Sequence, residues 1–72
     1  MKKQDFYDIV KSLLEGDKVK VKIRHLLTNE LFNEVKEGSF ICKKGFYLIM
    51  KKNDGLTIQL HYNRIEKIDK IE

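Results

Sequence analysis

Lys18-Val19-Lys20-Val21-Lys22-Ile23-Arg24 alternates strictly between charged and β-branched residues. A period of two places Val19, Val21 and Ile23 on one face of a strand and the four cations on the other, so the segment reads as a half-buried β-strand. The pattern before it differs. Phe6, Ile9, Val10, Leu13 and Leu14 fall at i, i+3, i+4, i+7 and i+8, opposite Asp8, Lys11, Ser12 and Glu15, which predicts an amphipathic helix over about 4–15. Gly16 follows as a left-handed helix stop, and Asp5 and Asp8 lie in the first turn, where the helix dipole favours negative charge.

Downstream, turn chemistry sets three hairpins. A three-residue loop Thr28-Asn29-Glu30 pairs Ile23 with Val35 and Arg24 with Glu34, whereas a two-residue loop would set Ile23 against Glu34. The first register matches apolar to apolar and opposite charges to each other. Asn53-Asp54-Gly55, with glycine left-handed, pairs Met50 with Ile58, Leu48 with Leu60 and Phe46 with Tyr62. A loop at Lys43-Lys44-Gly45 sets Cys42 beside Phe46 and Phe40 beside Leu48. These registers require inward residues to be odd-numbered up to Val35 and even-numbered from Phe40, so a bulge is expected at Gly38-Ser39. After a tight turn at Asn63-Arg64, Ile65, Ile68 and Ile71 fit a fifth strand; their spacing of three also fits a helical turn. The expected architecture is α+β: the helix, then strands over about 17–27, 31–42, 46–52, 56–62 and 65–70 forming a strongly bent antiparallel sheet that closes into a small barrel.

The chain has 72 residues, 42% of them hydrophobic, enough for one domain with a thin core. No apolar run approaches the roughly 20 residues of a membrane-spanning helix. Met1-Lys2-Lys3 is charged, but no signal-peptide core follows it. The single cysteine cannot form an internal disulfide, which fits a reducing cytoplasm. Fifteen Lys and Arg against eleven Asp and Glu leave a net charge of +4, a modest bias toward anionic partners. The same balance also describes a well-solvated surface.

The helix, Gly16-Asp17-Lys18-Val19-Lys20-Val21-Lys22-Ile23, a bent second strand, a long hairpin and the closing Leu60-His61-Tyr62-Asn63-Arg64-Ile65-Glu66-Lys67-Ile68 resemble the layout of Sm-like small barrels. They also look like YolD-like bacterial and phage proteins, whose last strands end in a similar isoleucine spacing. The glycine and Asp/Asn pair of the Sm RNA site have no counterpart in Cys42-Lys43-Lys44-Gly45 or Asn63-Arg64. The resemblance therefore implies a fold and a tendency to form homo-oligomers, and assigns no site residue.

Candidate ligand contacts come from the residues themselves. Lys20, Lys22 and Arg24 continue from Lys18 a row of cations about 6.6 Å apart, a spacing that can follow an anionic backbone; alternating lysines also guard a sheet edge against aggregation. Gln59 and His61 share an outward face with Thr57, opposite Ile49 and Tyr47, and Arg64 follows at the turn. That group could stack on a base and bind its phosphate. Alternatively, Tyr47, Ile49 and Ile41 form the patch on which the helix lies. Lys43 and Lys44 suit a phosphate-contacting loop and are equally ordinary turn residues. His25 is expected on the inward side at the barrel mouth.

Catalytic groups are sparse. Cys42, expected on the core face, would have its thiolate disfavoured, and no spacing offers three zinc ligands. The expectation is a non-catalytic module, without cofactor or metal, that binds RNA, DNA or a small nucleotide. The alternative is a small phage or mobile-element type protein-interaction module that inhibits or regulates a host protein.

Overall fold

The computed structural model describes the backbone of residues 1–27 and 30–71, and the side chains of these except 25–27 and 30–33. One helix, α1 (Lys3–Val10), precedes five strands: β1 (Lys18–Leu27), β2 (Glu30–Lys44), β3 (Tyr47–Lys52), β4 (Thr57–His61) and β5 (Ile65–Ile71). A 3-10 turn, η1 (Tyr62–Arg64), joins the last two. All neighbouring strands are antiparallel, in the order β4-β3-β2-β1-β5. The α+β architecture is as expected, and β5 is a strand, not a helical turn.

The helix is shorter than its apolar periodicity. Ser12 ends it: its hydroxyl and its backbone N–H both donate to the Ile9 carbonyl, at 2.7 and 3.1 Å, so the side chain competes for a helical acceptor. Leu13 then turns back into the core while Leu14 stays 70% exposed. Gly16 does adopt a left-handed φ of 94°, but within a turn that splices the chain onto the sheet. Its N–H donates to the Phe40 carbonyl, and the Phe40 N–H donates to the Asp17 carbonyl.

Two registers differ from the sequence expectation. Ile23 stands opposite Glu34, Lys22 opposite Val35 and Arg24 opposite Asn33, the register of a two-residue loop; Thr28 and Asn29 themselves lie outside the described residues. Even-numbered residues of β2 consequently face inward from Glu34 to Phe40, and no parity switch occurs at Gly38-Ser39. Phe40 pairs with Met50, not Leu48, and Cys42 with Ile49, not Phe46. The bulge falls at Ile41, between Phe40 and Cys42, and rotates Cys42 to an exposed position. The turn is Gly45-Phe46, with Lys43 and Lys44 still in the strand. The Met50–Ile58 and Leu48–Leu60 pairs are as expected, and the Tyr62 N–H donates to the Phe46 carbonyl one step beyond them.

A second bulge explains the isoleucine spacing. Ile23 pairs with Ile65 and Lys22 with Lys67, so Glu66 is the extra residue. The bulge returns Ile68, opposite Val21, to the inner face, and both Ile65 and Ile68 are buried. A spacing of three inside a strand is the trace of that bulge.

Gly38 makes the bend in β2. It pairs with Val19 on one side and Lys52 on the other, and a Cβ there would collide with the Lys51 carbonyl. Only glycine admits this approach of β3 across the buried face. β2 thus passes from a ladder with β1 to a ladder with β3, and the sheet curls around one core. Phe6, Val10 and Leu13 fill its concave side against Val19, Val21, Phe40, Leu48, Met50 and Ile65. The sheet does not close into a barrel: β5 pairs with β1, and the order ends at β4 and β5 as two separate edges. Helix side chains occupy the space that closure would have filled.

Candidate functional site

The inverted register puts Glu34 and Lys36 on the concave face beside Ile23, where they form an ion pair of 2.6 Å. From the other side, the Tyr47–His61 and Ile49–Gln59 pairs of β3 and β4 present the outward group read from the sequence. Between the β4 edge and the β1–β2 hairpin lies an open cleft of about 540 Å³. Tyr47, Gln59, His61 and Arg64 line one side of it, with Asn63 from η1; Ile23 and Leu60 supply apolar surface, and Glu34 and Lys36 the opposite wall. The two walls carry donors, acceptors, both signs of charge and a flat ring, a combination suited to orienting a small polar ligand.

His61 is held from two directions. Its ring meets Tyr47 edge-on at 5.0 Å and lies 4.8 Å from Tyr62. The Asn63 backbone N–H reaches Nδ1 at 3.3 Å, and the Asn63 carboxamide oxygen is 2.7 Å from the same nitrogen. With Nδ1 engaged inside the turn, Nε2 is the nitrogen left to a ligand. Phe46 extends the rings toward the helix, 6.4 Å from His61 and 6.2 Å from Tyr7. Lys3 caps Phe46 and Lys43 caps Tyr7, each 4.7 Å from the ring centre.

Of the sequence-based candidates, four therefore converge on the cleft and five do not. Lys43 is committed to Tyr7 and to the Gly45 carbonyl, 3.1 Å away, and Lys44 lies exposed opposite Tyr47 in the ladder. The cation row of β1 is interrupted. Lys20 is in register with Glu37 and Asp69 and lies 3.6 Å from the Glu37 carboxylate, which divides the positive face into two ends. At one end Lys22 stands beside Lys67, with Arg24 two residues further along β1. Arg24 stands opposite Asn33 and not, as the expected register had it, opposite Glu34, which is paired with Ile23. Helix α1 does not lie on the Tyr47/Ile49/Ile41 patch: its apolar residues pack on the concave side, and Tyr47 is left 41% exposed. The His25 side chain lies outside the described residues.

Asn63, Lys36 and Glu34 are the polar cleft residues that the sequence reading did not select. Pairing Ile23 with Glu34 would have found the last two, since that register alone sends them inward. Among the described residues no group of three His, Cys, Asp or Glu side chains converges as a metal site would require, and no helix is long and apolar enough to cross a membrane. No protein-family model, curated protein or solved structure matches the chain.

Proposed function

We propose that this chain is a non-catalytic binding module for an anionic ligand, single-stranded nucleic acid or a small nucleotide. The observation that carries the reading is the convergence of Tyr47, Gln59, His61 and Arg64 on one cleft, whose Lys36 is ion-paired with Glu34. Tyr47 offers a face for a base, Gln59 and Asn63 offer amides for its edge, and Arg64 offers charge for a phosphate. The basic sheet face is secondary, because Lys20 is already compensated. The test is titration of purified protein with single-stranded RNA and DNA oligonucleotides at several salt concentrations, together with melting curves in ATP and GTP. Salt-dependent binding or a nucleotide-dependent rise in melting temperature supports the proposal; absence of both refutes it.

The two open edges favour a second reading, a protein-interaction module. β4 and β5 each leave one side of their backbone unpaired by the sheet, and such edges accept an added strand from another chain. A second copy is the simplest donor, in keeping with the oligomers that the Sm-like resemblance implies. A host protein is the alternative. Charge reversal at Lys22, Arg24 and Arg64 separates the readings, since it should abolish nucleic-acid binding and leave edge pairing intact. Light scattering after size exclusion reports the oligomeric state.

A further inference from the structure

A second depression lies at the opposite end of the cation row, outside the cleft. In-register pairing sets Lys18 beside Ser39 and Ser39 beside Lys51, so two ammonium groups flank one hydroxyl across three adjacent strands, the outer two backbones about 10 Å apart. Lys52 and Asn53 complete an open hollow of about 450 Å³. Its geometry is rigid at the base, because the close approach at Gly38 locks β3 onto β2 next to Ser39.

The two lysines that flank Ser39 differ from the ion-paired lysines of the surface. Lys11, Lys20, Lys36, Lys67 and Lys70 each have a carboxylate within 4.0 Å. Lys18 and Lys51 have none among the described residues, and their cross-strand neighbours, Ile71, Ser39 and Thr57, carry no charge. The one acid in the hollow, Asp54, is turned to its own hairpin, where it accepts the Leu56 N–H at 3.0 Å and pairs with Lys52 at 3.4 Å. Three lysines against one carboxylate leave a net charge of +2 around a hydroxyl and an amide donor.

We propose that Lys18, Ser39 and Lys51 form a phosphoryl-binding site, separate from the Tyr47/His61 cleft. Two ammonium groups meet the phosphoryl charge while the Ser39 hydroxyl and the Asn53 amide donate to its oxygens. The phosphoryl group belongs either to a free phosphorylated compound or to a nucleic-acid backbone. A site of this kind makes the sheet face a second anchor and accounts for cations held together without acids.

The experiment is a titration of isotopically labelled protein with inorganic pyrophosphate and, separately, a single-stranded DNA oligonucleotide, followed by backbone amide shifts. Saturable shifts at Ser39, Lys51 and Asn53, lost in the Lys18→Gln/Lys51→Gln double variant, support the proposal. Both substitutions are on exposed side chains, and unchanged Ile65 and Leu48 amides verify that the variant is folded. If pyrophosphate alone acts, the ligand is a free phosphorylated compound. If the oligonucleotide also shifts these amides, the ligand is a nucleic-acid backbone, and engagement of two lysines predicts about a sevenfold affinity loss between roughly 50 and 200 mM salt. Shifts that do not saturate, or that survive in the double variant, overturn the proposal. Arg64→Gln, which alters the cleft, should leave the pyrophosphate response unchanged, so failure of the cleft reading and failure of this one are distinguishable.

Discussion

Ile23 stands directly opposite Glu34 on the concave face of the β1–β2 ladder. That one pairing carries a carboxylate to the wall of the cleft and sends Val35, which sequence alone would bury, out to 49% exposure. Val35→Thr should therefore change the unfolding free energy by less than about 0.5 kcal/mol, as for an ordinary surface site. Ile23→Thr, on the buried side, should cost about 1–3 kcal/mol. Urea denaturation of the two variants reads the register directly: a large loss at Val35 would contradict it.

Phe6 is fully buried and touches the Tyr7 and Tyr62 rings at 5.9 and 6.1 Å. It is the main plug of the unclosed sheet. Phe6→Ala should cost about 3–5 kcal/mol, a large share of the roughly 4–10 kcal/mol expected for a domain of this size. Thermal unfolding should show a melting temperature reduced by tens of degrees or no cooperative transition.

Gly38→Ala tests the bend. The added methyl would meet the Lys51 carbonyl, a backbone atom with no rotamer to move aside. Overpacking against backbone should cost about 3 kcal/mol or more. Gly16→Ala, where a Cβ meets nothing within 4 Å, should cost less, limited to the left-handed backbone penalty of about 1–2 kcal/mol. Equal losses at the two glycines would argue against a close approach at Gly38.

Asp54 supplies a pH dependence. The Leu56 N–H bond, followed by the nearby Lys52 ammonium, holds its carboxyl below the ordinary value of 3.8. A carboxyl depressed in the folded state stabilises the fold above its unfolded pKa, and the contribution is lost as pH falls from 3.8 through the lower folded value. The stability gap between the parent and Asp54→Ala should thus be widest near neutral pH and shrink in acid. Urea midpoints at both ends of this range measure it. A gap that widens in acid would contradict the turn geometry.

Tyr47 is the exposed ring of the cleft, and its removal probes the proposed function without touching the core. Tyr47→Ala should weaken binding of a single-stranded oligonucleotide by about 1–3 kcal/mol, the usual worth of one stacked base. Fluorescence anisotropy with a labelled oligonucleotide checks it, with the melting curve as control. Unchanged affinity would remove Tyr47 from the site.

Local chemistry was legible in the sequence. Strict alternation marked β1, the Asn53-Asp54-Gly55 turn carried the β3–β4 register, with Gly55 at φ 91°, and that register brought Tyr47 to His61. Each depends on neighbours a few residues apart, where period and turn geometry leave few alternatives. The β1–β2 register, the bulge at Ile41 and the open edge were decided only in three dimensions. Matching Ile23 to Val35 is locally sound, yet it faces Glu34 and Lys36 away from each other's cleft and requires a parity switch that the fold does not make. Once β3 closes over Gly38 and the helix fills the concave side, inward room at the far end of β2 is open to water, and a charged pair is accommodated there without being buried. The positions of the acids decided the rest: the composition shows how many cations the chain carries, but only the strand registers show that Lys20 is compensated and that Lys18 and Lys51 are not.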